Sequence, residues 1–301
     1  MKLPGYIIGL LVLCLHTSCD TDGSTLPGQT EPEEEIELAL ISHLRQYAGE
    51  PKLPLPQGTV VGVYAASYNQ PPTTSSPNLS NIRCVSDLQG NLNSYGLLKL
   101  QEGEDYSFYA YAPYKTGTSD FTDTIPFVHG EDVLLCTGKS FLRNVSYDNR
   151  SVSFDFIHLT AQIRFVVKVI EDSSIGDLQS TSVFHASGFI PEARLNLSTG
   201  ELLPTGDASE QTDVKAAAAL DEHGLYSLSS DPVCFFTTSG EQQTFHLRVT
   251  HAGITYTGDI SALFVPGESS TYTVWIGSKT GLEVTVSIVA WINRYESIDI
   301  H

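Results

Sequence analysis

Cys19 is the residue whose setting points most directly to chemistry. It follows Thr17 and Ser18 in the opening MKLPGYIIGLLVLCLHTSC, behind Lys2 and an apolar run from Tyr6 to Leu15. A positive end, a short apolar core and small residues before a cysteine are what an export signal with a lipid-attachment site requires. The run is too short to span a bilayer, which takes about 20 apolar residues. Cleavage over residues 1–18 would leave Cys19 first, with its sulfur and amine free to carry acyl chains. Each buried CH2 then adds ~0.8 kcal/mol of membrane affinity. His16 stands three residues before the cysteine and Leu15 one further out, so an ordinary secretory signal is the alternative reading.

The remaining reactive residue types form no recognisable constellation. Cys14 leaves with the signal, and Cys84, Cys136 and Cys234 have neither CxxC nor CxxH spacing. Three cysteines cannot all pair, so a dense disulfide framework is excluded and buried apolar thiols are expected. His43, His129, His158, His185, His223, His246 and His251 are scattered, with no HExxH, so no metal or other cofactor is expected. There is no GxSxG elbow and no glycine-rich phosphate loop. His129-Gly130-Glu131-Asp132 reads as a turn with solvated carboxylates rather than a catalytic group, and His158 as a core histidine held by hydrogen bonds. The acids are spread along the chain and name no glycosidase pair. Nothing argues for an enzyme.

The balance of charge narrows the partners. The 301 residues hold 35 Asp plus Glu against 16 Lys plus Arg, a net charge of −19. That excludes a nucleic-acid binder, which needs clustered positive charge. Residues 19–34, from Cys19 through DTDGSTLPGQTEPEE, are acidic and almost without apolar side chains. They read as a disordered tether. The rest is rich in Thr, Ser, Val, Gly and Tyr, which favours strands and turns.

Alternation locates the strands. Glu35-IELALISHL sets Ile36, Leu38 and Leu40 against Glu37 and Ala39. Thr59-VVGVYAASY is an apolar strand, and residues 69–81 an exposed loop. In Asp105-YSFYAYAPY the residues Tyr106, Phe108, Tyr109 and Tyr111 fall on both faces, so part of that cluster covers something other than one core. In Val152-SFDFIHLTAQIRFVVKVI the apolar phase flips at Phe156/Ile157. A bulge there, or passage from one sheet to another, accounts for the flip; the second reading puts a boundary near residue 156. Gln243-TFHLRVTHAGITYTGDIS reads as a hairpin turning at His251-Ala252-Gly253, and Ser270-TYTVWIG with Leu282-EVTVSIVAWI as a closing pair. Only Asp213-VKAAAALDEHG looks helical. The pattern predicts an all-β chain of two tandem β-sandwich domains, residues 35–156 and 157–301. Trp275 and Trp291 oppose the dominant apolar face of their strands, which makes them the candidate glycan platforms of an alternative reading, a monomeric surface lipoprotein that binds glycans.

In this order the segments resemble the fimbrillin-like lipoproteins of Bacteroidetes, the subunits of type V pili. The matching stretches are GTVVGVYAAS (58–67), DYSFYAYAPY (105–114), DVLLCTG (132–138), VSFDFIHLTAQIRFVVKV (152–169), ARLNLSTGEL (193–202), ITYTGDIS (254–261), FVPGESSTYTVWI (264–276) and LEVTVSIVAWI (282–292). The acidic stretch after Cys19 resembles the surface-export signal of such lipoproteins. The resemblance implies two transthyretin-like sandwiches and a non-catalytic stalk, anchor or tip subunit of a fimbria that mediates adhesion. It implies attachment to the outer membrane through lipid on Cys19, other pilin subunits as partners through β-strand addition, and a host or bacterial surface ligand. It also implies that Ile36, Leu38 and Leu40 plug a groove that cleavage after Arg45 would vacate, although anchors and tip adhesins can keep this strand. The alternating Ile298 and Ile300 in Tyr295-ESIDIH make the C-terminal segment a candidate donor.

Overall fold

The computed structural model describes residues 34–45, 52–68, 78–117, 124–136, 140–171, 174–208, 214–238, 240–277 and 282–290, the stretch 283–290 by its backbone alone. Cys19, the tether before Glu34, Trp291 and the segment 295–301 lie outside the described residues. The described chain from Glu34 onward forms one compact unit.

Runs that alternate branched or aromatic residues with polar ones form strands throughout, and no described residue is helical. The first half supplies β1 (Glu35–Glu37), β2 (Ala39–Leu44), β3 (Leu53–Pro54), β4 (Val60–Ser67), β5 (Leu79–Ser86), β6 (Leu92–Ser94), β7 (Lys99–Gln101), β8 (Tyr106–Ala112), β9 (Thr124–Val128), β10 (Leu134–Cys136), β11 (Ser140–Leu142) and β12 (Ser151–His158). The second supplies β13 (Ala161–Val169), β14 (Val183–Ser187), β15 (Glu192–Asn196), β16 (Glu201–Thr205), β17 (Val214–Ala217), β18 (Ala219–Leu220), β19 (Tyr226–Ser229), β20 (Val233–Phe235), β21 (Gln243–His251), β22 (Ile254–Ala262), β23 (Glu268–Ile276) and β24 (Leu282–Ala290).

A nine-stranded sheet runs β3-β2-β12-β10-β8-β4-β5-β6, with β11 beside β8. A bridge from Ile41 to Asn91 links β2 to the approach to β6, so the sheet curls back on itself around the first core. Ile36, Leu40, Val63, Phe108, Phe154 and Phe156 lie in that core. In the second half the sheets β18-β19-β13-β23-β24 and β17-β14-β21-β22 contribute to one shared core, the arrangement of a β-sandwich. Its centre is a nest of rings: Phe245 stacks on Phe189 with centroids 4.3 Å apart and meets Phe235 edge-on at 5.3 Å.

A third core joins the two. Tyr64, Tyr111 and Leu135 from the outer face of the first sheet meet Phe127, Ile190, Leu195 and Phe236. Here β9 pairs along its whole length with β15, which pairs with β16. This junction explains why the β8 strand is aromatic on both faces: Tyr106 and Phe108 enter the first core, and Tyr111 the junction.

The passage from sheet to sheet falls later than the flip in apolar phase. Buried even-numbered residues continue through His158, and the chain changes sheets at Leu159 and Thr160. Ile157 and Leu159 are apolar because they lie on the face turned to the junction: Ile157 stands opposite Leu135, and Leu159 packs on that core. The expected helix from residue 213 is absent among the described residues. Val214–Ala217 instead pairs antiparallel with Val183–Ala186, burying Val214. The sheet contact outweighs the helical preference of an alanine run. Asp221 then closes a turn by accepting from the amides of His223 and Leu225. The expected hairpin turns at Ala252 and Gly253, both with positive φ, the geometry of a two-residue I′ turn.

Phe245 is fully buried among three rings. Phe245→Ala is expected to lower the unfolding free energy by ~3–5 kcal/mol, read as a shift of the urea midpoint with unchanged slope.

Candidate functional site

The chain from Glu35 to Arg45 lies along the opening edge of the first core. Every even-numbered residue from Ile36 to Leu44 is buried, with exposures of 7% for Ile36, 8% for Leu38, 3% for Leu40, 0% for Ser42 and 1% for Leu44. The period of two that sets these against Glu35, Glu37 and Ala39 dictates one inward face. Fully burying such aliphatic side chains contributes ~1.5–3 kcal/mol each.

Main-chain bonds hold the segment on both flanks. β1 pairs antiparallel with β7, and the Leu38 amide donates to Leu98 O at 2.9 Å. β2 then runs parallel to β12 over six residue pairs, Ala39 opposite Ser151 through Leu44 opposite Phe156. The ladder is extended at each end by Ala39 N to Arg150 O and Arg45 N to Phe156 O. On the opposite flank both the amide and the hydroxyl of Ser42 donate to Gly90 O at 2.7 Å. Gly90 has φ +83°, and a Cβ there would sit 2.5 Å from Ser42 O. Only glycine lets the two backbones approach this closely.

Where the strand ends, Asp155 of β12 gathers cations. Its carboxylate meets Arg45 Nη2 at 2.6 Å, Lys52 Nζ at 2.9 Å and His43 Nδ1 at 3.8 Å. Arg45 and Lys52 bracket residues 46–51 in sequence, so one carboxylate holds the residues at both ends of that stretch. Sequence reasoning missed Asp155, Ser42 and Gly90. Their signal is faint: an acid inside an apolar alternation, a small polar residue on an apolar face and a glycine in a polar turn.

The other candidate groups have structural partners. His158 Nδ1 lies 2.8 Å from Asp132 Oδ1, and Thr160 donates to the same oxygen. This cluster fixes the passage between sheets. Glu131 accepts from Lys115 at 2.5 Å and from the Val128 amide at 2.9 Å, and His129 lies 4.8 Å from the Phe189 ring. His251 Nδ1 meets Ser182 Oγ at 2.8 Å in a buried pair that anchors the loop before β14. Among the described residues no group of three His, Cys, Asp or Glu is placed to hold a metal. Trp275 is half-buried under Lys168, whose Nζ lies 5.5 Å from the ring. Cys84 and Cys234 are buried free thiols, and Cys136 is a half-buried one. Burial pushes both buried thiols up, Cys84 to about 12.

The sequence matches the fimbrillin-like family over residues 54–291. The chain belongs to that family. No curated protein matches it significantly. Among solved structures, the fold is similar to a candidate cell adhesion protein from Bacteroides ovatus ATCC 8483, at 15% identity and TM-score 0.64, covering 87% of this chain and 99% of that one. It is also similar to candidate cell adhesion proteins from Bacteroides uniformis ATCC 8492 (16%, TM-score 0.58, 86% and 99% covered) and Bacteroides fragilis NCTC 9343 (13%, TM-score 0.52, 86% and 100% covered). At these identities the likeness is one of fold.

Two outcomes follow from this geometry. Asp155→Ala is expected to speed cleavage after Arg45 by an arginine-specific protease several-fold, while the partly exposed ion pairs cost only ~1 kcal/mol or less of stability; an unchanged cleavage rate shows that the clamp does not guard the bond. The Cys84 thiol holds its proton more tightly when folded than at the ordinary 9.0. Its contribution is therefore complete below that pH and is lost as pH rises toward about 12. Urea midpoints should fall across this window, and fall less for Cys84→Ala.

Proposed function

We propose that this fimbrillin-like chain is a non-catalytic structural subunit of a surface fimbria, as stalk, anchor or tip, which mediates adhesion and joins its neighbours by strand donation. The observation that carries the reading is the seating of residues 36–44. They span the first two described strands, are buried on one face, and are bonded on both flanks to segments far along the chain. Ile36, Leu38 and Leu40 act as the plug of a groove, with Leu44 filling its far end. Cleavage after Arg45 frees this strand to leave. The vacated groove then offers apolar pockets and the unpaired backbone of β12, the surface that β-strand addition uses. A strand from another subunit takes the place, with the C-terminal segment 295–301 as candidate donor.

Membership of the family and the fold shared with candidate adhesion proteins of Bacteroides support this reading. In the same scheme the chain forms two sandwich domains that meet at Leu159 and Thr160, locked by the β9–β15 junction so that they pass force as one body. Export follows the signal over residues 1–18, lipid on Cys19 holds the precursor at the outer membrane, and residues 19–34 are the tether. The half-buried indole of Trp275 gives no open platform for sugar stacking, so the glycan-binding alternative gains no support from that residue.

The decisive measurement is the N-terminal residue of the protein on the cell surface. Assembled rods should begin at Gln46, with the lipidated precursor beginning at Cys19 and running as a monomer. Rods whose chains retain the Arg45–Gln46 bond overturn strand exchange at this groove.

A further inference from the structure

The inward face of residues 36–44 has one polar member. Ile36, Leu38, Leu40 and Leu44 are aliphatic, but Ser42 stands among them, fully buried. An aliphatic side chain there would add apolar burial to the plug, so the serine needs its own explanation. On one flank Ser42 stands opposite Phe154 of β12, and paired residues of parallel strands share a face. On the other flank is Gly90, which has no side chain. The Gly90 carbonyl oxygen accepts both the amide and the hydroxyl of Ser42, each at 2.7 Å, and Gly90 is buried. A carbonyl has two lone pairs, so this one residue fills both. The Ser42 carbonyl in turn accepts from the Leu55 amide at 3.3 Å.

The acceptor is held in place by bonds that do not involve β2. Asp87 Oδ1 accepts from the amides of Gln89 and Asn91 at 2.9 and 2.8 Å, and its Oδ2 from the Asn91 side chain at 2.8 Å. The Gly90 amide donates to Asp87 O at 3.2 Å. The turn over residues 87–91 therefore presents its carbonyl whether or not a strand lies beside it. We infer that the Gly90 carbonyl, faced by Phe154, selects the incoming strand and fixes its register, admitting a partner strand with serine or threonine at the place of Ser42 and apolar residues two and four positions before it and two after. This selectivity rests on the strand exchange proposed above and adds to it the chemistry of the partner. Alternation alone cannot supply it. A slip of two residues keeps every side chain on its own face, so a wholly aliphatic plug could seat in several registers. With one hydroxyl position, each slip brings an aliphatic residue to Gly90 and leaves a lone pair buried without a partner, which is unfavourable. A leucine at that place also crowds Phe154 in a close-packed core. The candidate donor 295–301 has one serine, Ser297. Setting Ser297 against Gly90 puts Asn293 at the place of Leu38 and Asp299 at the place of Leu44, so that segment ranks below a strand with the full pattern.

The test uses the whole chain with a site-specific protease sequence in place of residues 47–50, cut there after purification. Excess fluorescent peptide spanning residues 34–45 is added, and its entry is followed by anisotropy in competition with unlabelled variants. The parent peptide and Ser42→Thr should enter most tightly. Ser42→Val has the shape of threonine without the hydroxyl and should bind roughly fivefold more weakly than Ser42→Thr. Ser42→Leu should bind at least about tenfold more weakly than the parent, and a peptide of residues 291–301 should also compete less well than the parent. A merely greasy groove gives the opposite order, with valine and leucine above serine and threonine. Entry of the parent with Ser42→Val equal to or tighter than Ser42→Thr overturns the selection by Gly90 and leaves strand exchange standing. Failure of the parent peptide to enter overturns exchange at this groove and the selection with it. In the uncut chain the urea midpoint of Ser42→Thr should lie above that of Ser42→Val, and this comparison decides the matter if the cut chain precipitates; the reverse order overturns the proposal.

Discussion

The hydrogen-bonded seat of Ala39–Leu44 is the constraint on which the first sandwich depends. Backbone groups buried away from water must be paired, and this short strand pairs two flanks at once. On one side it completes β12, a strand that otherwise ends the path from β10. On the other, Ser42 reaches Gly90 and Ile41 bridges Asn91, which closes the curl of the sheet. Without the strand the sheet has an open seam, and Phe154 and Phe156 lose part of their cover.

The junction core complements that closure. Tyr111 is fully buried there, its hydroxyl 3.0 Å from Asn81 Oδ1, while its ring meets Phe127 edge-on at 6.3 Å. Phe127 belongs to β9, and β9 is hydrogen-bonded to β15 of the second half. The two halves thus share a sheet and a core rather than a flexible linker. Interfaces between domains that are small and polar allow relative motion; large apolar ones do not. Opening the seam at β2 therefore leaves the junction intact, because none of its residues come from the first strand.

Much of this arrangement was legible in the sequence, and the reasons differ by element. The inward set Ile36, Leu38 and Leu40, the Ala252-Gly253 hairpin and the pairing of β23 with β24 could be read because one face of each is apolar, or because a turn demands positive φ. Where both faces of a strand are covered, alternation loses its meaning. That is why Ile157 and Leu159 suggested an early switch, when the even-numbered face in fact remains buried through His158. The run from Lys215 to Ala219 misled for another reason: local preference favours a helix, and only the long-range pairing with β14 decides otherwise. The clamp at Asp155 was invisible because Arg45, Lys52 and Asp155 meet only when a parallel ladder brings β2 beside β12.

Charge sorts the molecule as clearly as hydrophobicity does. Acids outnumber bases in the sequence, and two groupings of bases meet acids across segments distant in sequence. Arg45 and Lys52 converge on a single carboxylate, and Lys115 on Glu131. Both groupings neutralise an acid and join segments distant in sequence. Folding accounts for the two ion-paired groupings, since each lowers the energy of the native arrangement.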